Sequence, residues 1–309
     1  MSRPAKLQLP LREGVSASAL ACPAGAWGSL LEFLCERLPT VTRADWLQRL
    51  AAGEVLDEQG QVLPADAPYR PGRRIYYWRW LAQEAPIPFE AQILFQDEFL
   101  LVADKPHFLP VVPAGRYVQQ TLLTRLKKAT GLETLTPAHR IDRETAGLVM
   151  FSIQPQTRGA YQNLFRDRQV HKVYEAIAPF DGSLSWPLLR RSRMEERSEA
   201  FMQMQELAGE VNAETRIALL ERLGPTGYLA RYELQPSTGQ KHQLRVHMNG
   251  LGLPIVGDRI YPRLLPQESE PDYSHPLQLL ARELSFTDPI TGQARCFKSR
   301  LALAASAAA

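Results

Sequence analysis

Apolar positions recur at helical spacing in residues 29–38 (SLLEFLCERL), where Leu30, Phe33, Leu34 and Leu38 share a face. Thr42 then offers an N-cap, with Asp45 at the third helical position and Gly53 past the last turn. Trp46, Leu47, Leu50 and Ala51 form the apolar face of that second helix. Residues 55–63 read as a hairpin turning at Glu58-Gln59-Gly60, and residues 73–80 as a strand. Residues 1–26 read as an irregular or extended lead-in. Residues 81–89 (LAQEAPIPF) read as a linker, because Pro86 and Pro88 disfavour helix and sheet. Beyond it the pattern changes. Residues 93–103 are strand-like, 121–128 helical, and many short apolar strands follow. The charged, Met-containing residues 190–210 read as an insertion or exposed excursion inside the second domain, and 301–309 as a frayed helix. The expected organisation is a domain over 1–82, a linker over 83–88 and a second domain over 89–309.

Hydrophobic residues make up 45% of the 309 positions and charged residues 22%, which is ordinary for a soluble globular protein. The net charge of +3 permits a nucleic-acid partner without requiring one, since a local basic patch matters more than the total. Three widely spaced cysteines, Cys22, Cys35 and Cys296, exclude a disulfide scaffold and a four-cysteine zinc site, and fit a reducing cytosol. No run reaches the ~20 apolar residues that span a bilayer. Residues 15–31 are interrupted by Pro23 and Gly25, so they make a poor signal peptide.

Three segments carry candidate chemistry. The first is HRIDRETAGLVMF, from His139 to Phe151: a charged stretch, a tight turn suited to Thr145 and Gly147, then a buried strand. Such a turn displays Asp142 on rigid scaffolding. The second is HKVYEA, where period-two alternation puts Lys172 and Tyr174 on one side of a strand. The third is STGQKHQLRVHMNG, from Ser237 to Gly250, continuing to GDRIY. Ser237 or Thr238 offers a helix cap and Gly250 an end; Leu244 and Met248 face the core, while His242, Arg245 and Asn249 share another face. Arg245 is placed to hold a distant carboxylate in a planar, bidentate pair that orients it and keeps it ionised. His242 and His247 are five apart, whereas helical zinc ligands are four apart, so no metal is expected.

Together these segments resemble the RluA family of pseudouridine synthases. HRIDRETAG matches the family's His-Arg-Leu-Asp-x-x-Thr-Ser-Gly, KVY its Lys-x-Tyr, and TGQKHQLRVH its Thr-Gly-Arg-x-His-Gln-Ile-Arg-x-His. ADKPHFLPVVP is similar to its Asn-Lys-Pro-x-Gly segment and LQLLARELSFTDPITG to its final sheet segment. The likeness covers roughly residues 89–298, in the family's order. There are departures. Gln240 replaces an Arg, Pro262 a Gly, and Leu280 stands where a His is frequent. Lys105-Pro106-His107-Phe108 has lost the Gly. Asp142, Tyr174 and Arg245 are retained.

The resemblance implies an α+β fold on a central mixed, mostly antiparallel sheet, and isomerisation of uridine to pseudouridine in rRNA or tRNA without cofactor or metal. It implies Asp142 as the catalytic carboxylate, Arg245 as its partner, and Tyr174 stacking on uracil and taking the C5 proton late. Arg140 would enter the RNA in place of the expelled base. His139, Arg143, Thr145, Lys172, Lys241, His242 and Gln243 complete the expected RNA-binding set, with Arg166 and Arg168 as further phosphate holders. The N-terminal helices and hairpin, with Arg37, Arg43, Arg49, Arg70, Arg73 and Arg74, resemble the alpha-L RNA-binding module. A monomeric, cytoplasmic enzyme is expected. The rivals are a non-catalytic RNA-binding protein and a metal-dependent nuclease using His242, His247 and Asp258.

Overall fold

A computed structural model describes residues 7, 9–79, 81, 84–197, 202–266 and 271–304. The chain divides into two compact units, one formed by 1–84 with 114–119 and 127–133, the other by 85–113, 120–126 and 134–309.

In the first unit, β1 (Ser18–Ala21) lies inside the expected lead-in. Helices α1 (Leu30–Arg37) and α2 (Arg43–Ala51) follow, then β2 (Val55–Leu56) and β3 (Arg74–Tyr77). The three strands form a sheet in the order β1-β3-β2. Thr42 and Asp45 make a reciprocal capping box, which satisfies two otherwise unpaired amides at the start of α2. The hairpin turn falls at Asp57–Gly60, and a single bridge joins Leu56 to Val62. Trp46, Leu50, Phe33 and Leu34 are core, but Leu47 is 40% exposed; Arg49 is buried in its place, so it is not part of a solvated basic face. Arg37, Arg43 and Arg70 are exposed. Arg73 pairs with Glu58.

The second unit is built on one large sheet. Residues 93–103 are two strands rather than one, β4 (Gln92–Gln96) and β5 (Leu100–Lys105), parted by an Asp97 turn whose carboxylate accepts the Phe99 and Leu100 amides. Helix α3 (Leu122–Thr130) is followed by β6 (Thr136–Pro137), β7 (Ala146–Ser152), α4 (Arg158–Arg166) and β8 (His171–Pro179). Next come β9 (Leu188–Glu196), β10 (Met204–Leu207), β11 (Ala213–Leu223) and β12 (Leu229–Pro236). Helix α5 (Gln243–Gly250), β13 (Leu279–Thr287) and β14 (Ala294–Lys298) complete the set. The order is β10-β9-β11-β12-β8-β13-β7-β5-β4, with β14 on β13 and β6 on β7. Every pairing is antiparallel except β13 with β7. The mixed, mostly antiparallel sheet expected from the resemblance is therefore present.

Residues 190–210 are not an excursion. Where described, they are mostly sheet, and their charges meet across strands and within them, as in Arg190 with Glu206 and Arg191 with Glu214. Residues 301–304 are not helical, and Leu303 is buried beside Ala146, Ile177 and Leu280; 305–309 lie outside the described residues. Among the described residues, no helix is long and apolar enough to cross a membrane.

Candidate active site

Asp142 begins the turn that leads into β7. Its carbonyl accepts the Thr145 amide at 3.2 Å, which closes the turn, and Thr145 itself is buried. Strand β7 is buried along its whole length, so the turn stands on a stiff base. Gly147 lets β7 lie against β13: its φ is +109°, and an added Cβ would sit 2.3 Å from the Ala281 carbonyl oxygen.

Arg245 comes from α5, whose inner face packs Leu244 and Met248 against β8, β11 and β12. The helix starts at His242, in the left-handed region at φ 56°, and not at a Ser or Thr cap. Thr238 instead braces the approach to the helix. Its hydroxyl donates to the Gln243 side-chain oxygen and accepts the Glu214 amide. Arg245 is 2% exposed. Its Nε and Nη2 donate to the two oxygens of Asp258 at 2.8 and 2.6 Å, and its Nη1 donates to Asp142 Oδ2 at 3.2 Å. The bidentate partner is thus Asp258, which sequence alone placed among metal candidates, while Asp142 takes the third nitrogen. Burial alone would pull the guanidinium pKa down; the hydrogen bonds and charge of Asp258, then Asp142 and Glu144, raise it above its ordinary value.

Asp258 is fixed in turn by the Ile260 and Tyr261 amides, at 2.8 and 3.0 Å. Gly257, just before it, has φ +77°, and a Cβ there would sit 2.4 Å from the Pro276 carbonyl. The side chain of Asp258 is 1% exposed and that of Asp142 is 30% exposed. Only one of the two carboxylates on Arg245 is open to a substrate.

Tyr174 and His242 join this group. Burial, and then the charge of Asp142, push the Tyr174 phenol above its ordinary value. That shift is in the wrong direction for a base at neutral pH. His242 shares a hydrogen bond with the Tyr261 hydroxyl at 3.1 Å, and its Nε2 lies 3.9 Å from Asp142. Burial holds its pKa down against the pull of Asp142.

Other expected contacts fall elsewhere. His139 stacks on Phe165 at 4.2 Å and accepts the Met150 amide on Nε2. Burial drives its pKa to about 3, so the ring is a neutral brace for β7. Gln243 is buried, its amide spent on Glu214 O, Thr215 and the Gln240 and Thr238 donors, which leaves nothing for RNA. Lys172 donates to the Thr238 carbonyl at 2.7 Å, and burial lowers its pKa to about 8. Arg143 pairs with Glu144, Lys241 with Glu196 and Arg166 with Asp167. Arg140 is exposed, two residues from Asp142. His247 contacts Ser192 and Thr215, away from His242's partners, so the two histidines do not converge.

Lys105 is a site residue that no expectation from the sequence included. It is wholly buried, and its ammonium donates to the Pro106 and Arg143 carbonyls, each at 3.0 Å. Burial pulls its pKa from 10.5 to about 7. Between those values the unfolded chain holds a proton that the folded one does not, so stability rises with pH across that window. The rise amounts to at most about 5 kcal/mol. Lys105→Met is expected to flatten it; urea midpoints compared from pH 6 to 10 test this, and an unchanged slope would clear the lysine. Nearby Phe108 occupies the left-handed region at φ 67°, where the family's Gly would be relaxed. That conformation costs roughly 1–2 kcal/mol. Burial against Phe89 and Tyr273 offsets it.

Comparison with known proteins shows the family. The family profile described as RNA pseudouridylate synthase matches residues 99–250, which include Asp142, Tyr174 and Arg245. The dual-specificity RNA pseudouridine synthase RluA of Haemophilus influenzae is 30% identical over 223 residues, covering 70% of this chain and 95% of that one. The tRNA pseudouridine synthase C of Vibrio cholerae is 32% identical over 225 residues, covering 65% and 87%. Among solved structures, human RNA pseudouridylate synthase domain containing 4 superposes with a TM-score of 0.52 at 31% identity, covering 68% of this chain and 88% of that one. Human RNA pseudouridylate synthase domain containing 1 shares the fold, with a TM-score of 0.57 at 22% identity over 70% and 86% of the two chains. With fold and sequence in agreement, the chain is an isomerase belonging to the RluA family of RNA pseudouridine synthases.

Proposed function

We propose that the protein converts specific uridines of rRNA or tRNA to pseudouridine, with Asp142 as the catalytic carboxylate and no cofactor. The observation that supports this best is the unequal exposure of the two carboxylates on Arg245: Asp258 is sealed, and Asp142 faces outward. The reaction breaks the bond from C1′ to uracil N1 and makes one to C5; the C5 proton leaves and N1 gains one. Addition of a carboxylate to C1′ or C6, or proton removal from the ribose, all need a reachable, oriented carboxylate in a site that excludes water. Arg245 orients it from one side. Tyr174 offers an aromatic face to the uracil. Arg140 is exposed two residues from Asp142, and its guanidinium can take the place of the extruded base and offset the few kcal/mol that extrusion costs. The exposed Arg168 offers charge for phosphates, whereas Lys172, Lys241, Arg143 and Arg166 would have to exchange their protein partners to do so. The exposed Arg37, Arg43 and Arg70 support a part for the first unit in holding structured RNA.

A pseudouridine map of cellular RNA from wild-type cells, a deletion strain and that strain complemented with Asp142→Asn tests the reading. One or a few positions should vanish on deletion and stay absent with the variant. No change in rRNA or tRNA on deletion would overturn the function. Restoration by the variant would overturn the catalytic assignment alone.

A further inference from the structure

The turn that carries Asp142 is gripped from below by two side chains of one neighbouring segment. Lys105 ends β5, and its ammonium donates to the Arg143 carbonyl at 3.0 Å. Two residues on, the His107 imidazole meets the Glu144 carbonyl at 2.6 Å through Nδ1. A carbonyl oxygen only accepts, so Nδ1 carries the proton and donates it. Arg143 and Glu144 are the two residues that follow Asp142. Their peptide groups fix where the Asp142 backbone ends and where the strand begins.

His107 stands at the variable position of the Lys-Pro-x-Gly likeness, and Phe108 replaces its Gly. Phe108 nevertheless keeps a left-handed backbone, at φ 67°. Its ring is buried, 5.1 Å from Tyr273 and 6.0 Å from Phe89. The ring of His107 lies 6.2 Å from that of Phe108. The bend at residues 106–108 is therefore locked by packing, and it aims the imidazole at the catalytic turn.

We propose that His107 is a positioning residue for the reaction: its Nδ1–H, bonded to the Glu144 carbonyl, sets the angle at which the turn presents the Asp142 carboxylate to the uridine. This rests on the assignment of Asp142 as the catalytic group. The bond joins two protein groups in the free enzyme, so its loss is expected to act on presentation of the carboxylate rather than on RNA affinity. Asn is the substitution that keeps a donor near the place of Nδ1; Phe keeps the bulk and removes the donor.

The experiment measures pseudouridine formation by the purified full chain on rRNA and tRNA extracted from a strain lacking the gene. Wild type, His107→Asn, His107→Phe and His107→Ala are compared, with thermal melts of each. His107→Phe and His107→Ala should lower kcat by about ten- to a hundredfold with KM within about threefold of wild type. His107→Asn should recover to within about threefold of the wild-type kcat. If His107→Ala melts early, the Phe and Asn pair decides, since both fill the site. Wild-type kcat in His107→Phe, or His107→Asn as slow as His107→Phe, would overturn the proposal while leaving the enzyme reading intact. An inactive wild type on every RNA would overturn both.

Discussion

Asp142→Asn should bind RNA as the wild type does and form pseudouridine at least roughly a thousandfold more slowly, the scale on which loss of a catalytic nucleophile is felt. The substitution is nearly isosteric, and the amide oxygen can still accept from Arg245 Nη1, which lies 3.2 Å from the Asp142 carboxylate in the wild type. The fold should be spared, because this carboxylate is partly exposed and Arg245 keeps both bonds to Asp258. What disappears is the nucleophilic or basic oxygen. Kinetics at saturating RNA, paired with equilibrium binding by fluorescence anisotropy, separate the two effects. A variant within tenfold of wild-type kcat would remove Asp142 from the chemistry. One that lost affinity in step with rate would make it a binding residue instead.

Asp258→Ala should be the most damaging change to the fold of any at the site. It strips a buried guanidinium of two short hydrogen bonds and of its principal counter-charge, and it unties the Ile260 and Tyr261 amides. Removing one partner of a buried pair typically costs about 3–5 kcal/mol. In a chain of this size that lowers Tm by roughly 10 °C. Asp258→Asn should be milder in stability and still poor in activity. Arg245, left with Asp142 as its one carboxylate partner, would draw that group inward and compete with the substrate for it. Thermal melts and kcat on the same preparations test this. An Asp258→Asn enzyme with wild-type kcat would show that the clamp does not govern the presentation of Asp142.

The two variants divide the site into what the sequence shows and what it hides. HRIDRETAG, KVY and TGQKHQLRVH are continuous strings, so Asp142, Tyr174 and Arg245 can be read from the chain itself. The roles within them cannot. Gln243 and His139 sit in those strings, yet they serve a buried hydrogen-bond network and a strand brace, because polarity alone does not tell which side of a helix or turn is wet. Asp258 lay in plain view in GDRIY. That it takes both ends of the Arg245 fork follows from a turn 13 residues away, set by Gly257 and two backbone amides. His107 left no signal, since it occupies a variable position and acts through a carbonyl. The small unit was legible through its capping box and helical spacing, while Leu47 and Arg49 exchanged places because a long aliphatic stem can be buried as an apolar side chain is. Residues 190–210 misled because cross-strand ion pairs look, along the chain, like a solvated run.

The place of β13 in the sheet has a consequence for how the enzyme comes into being. On one side of it lie β8 and the strands and helix that bring Tyr174 and Arg245; on the other lie β7, β5 and β4, with Asp142 at the root of β7. Ribosomes make β13 after all of these. Until it emerges, the two half-sheets have no common neighbour, and the carboxylate and its guanidinium have no strand to bring them together. A chain that ended before β13 would lack the strand that joins the half-sheet carrying Asp142 to the half-sheet carrying Tyr174.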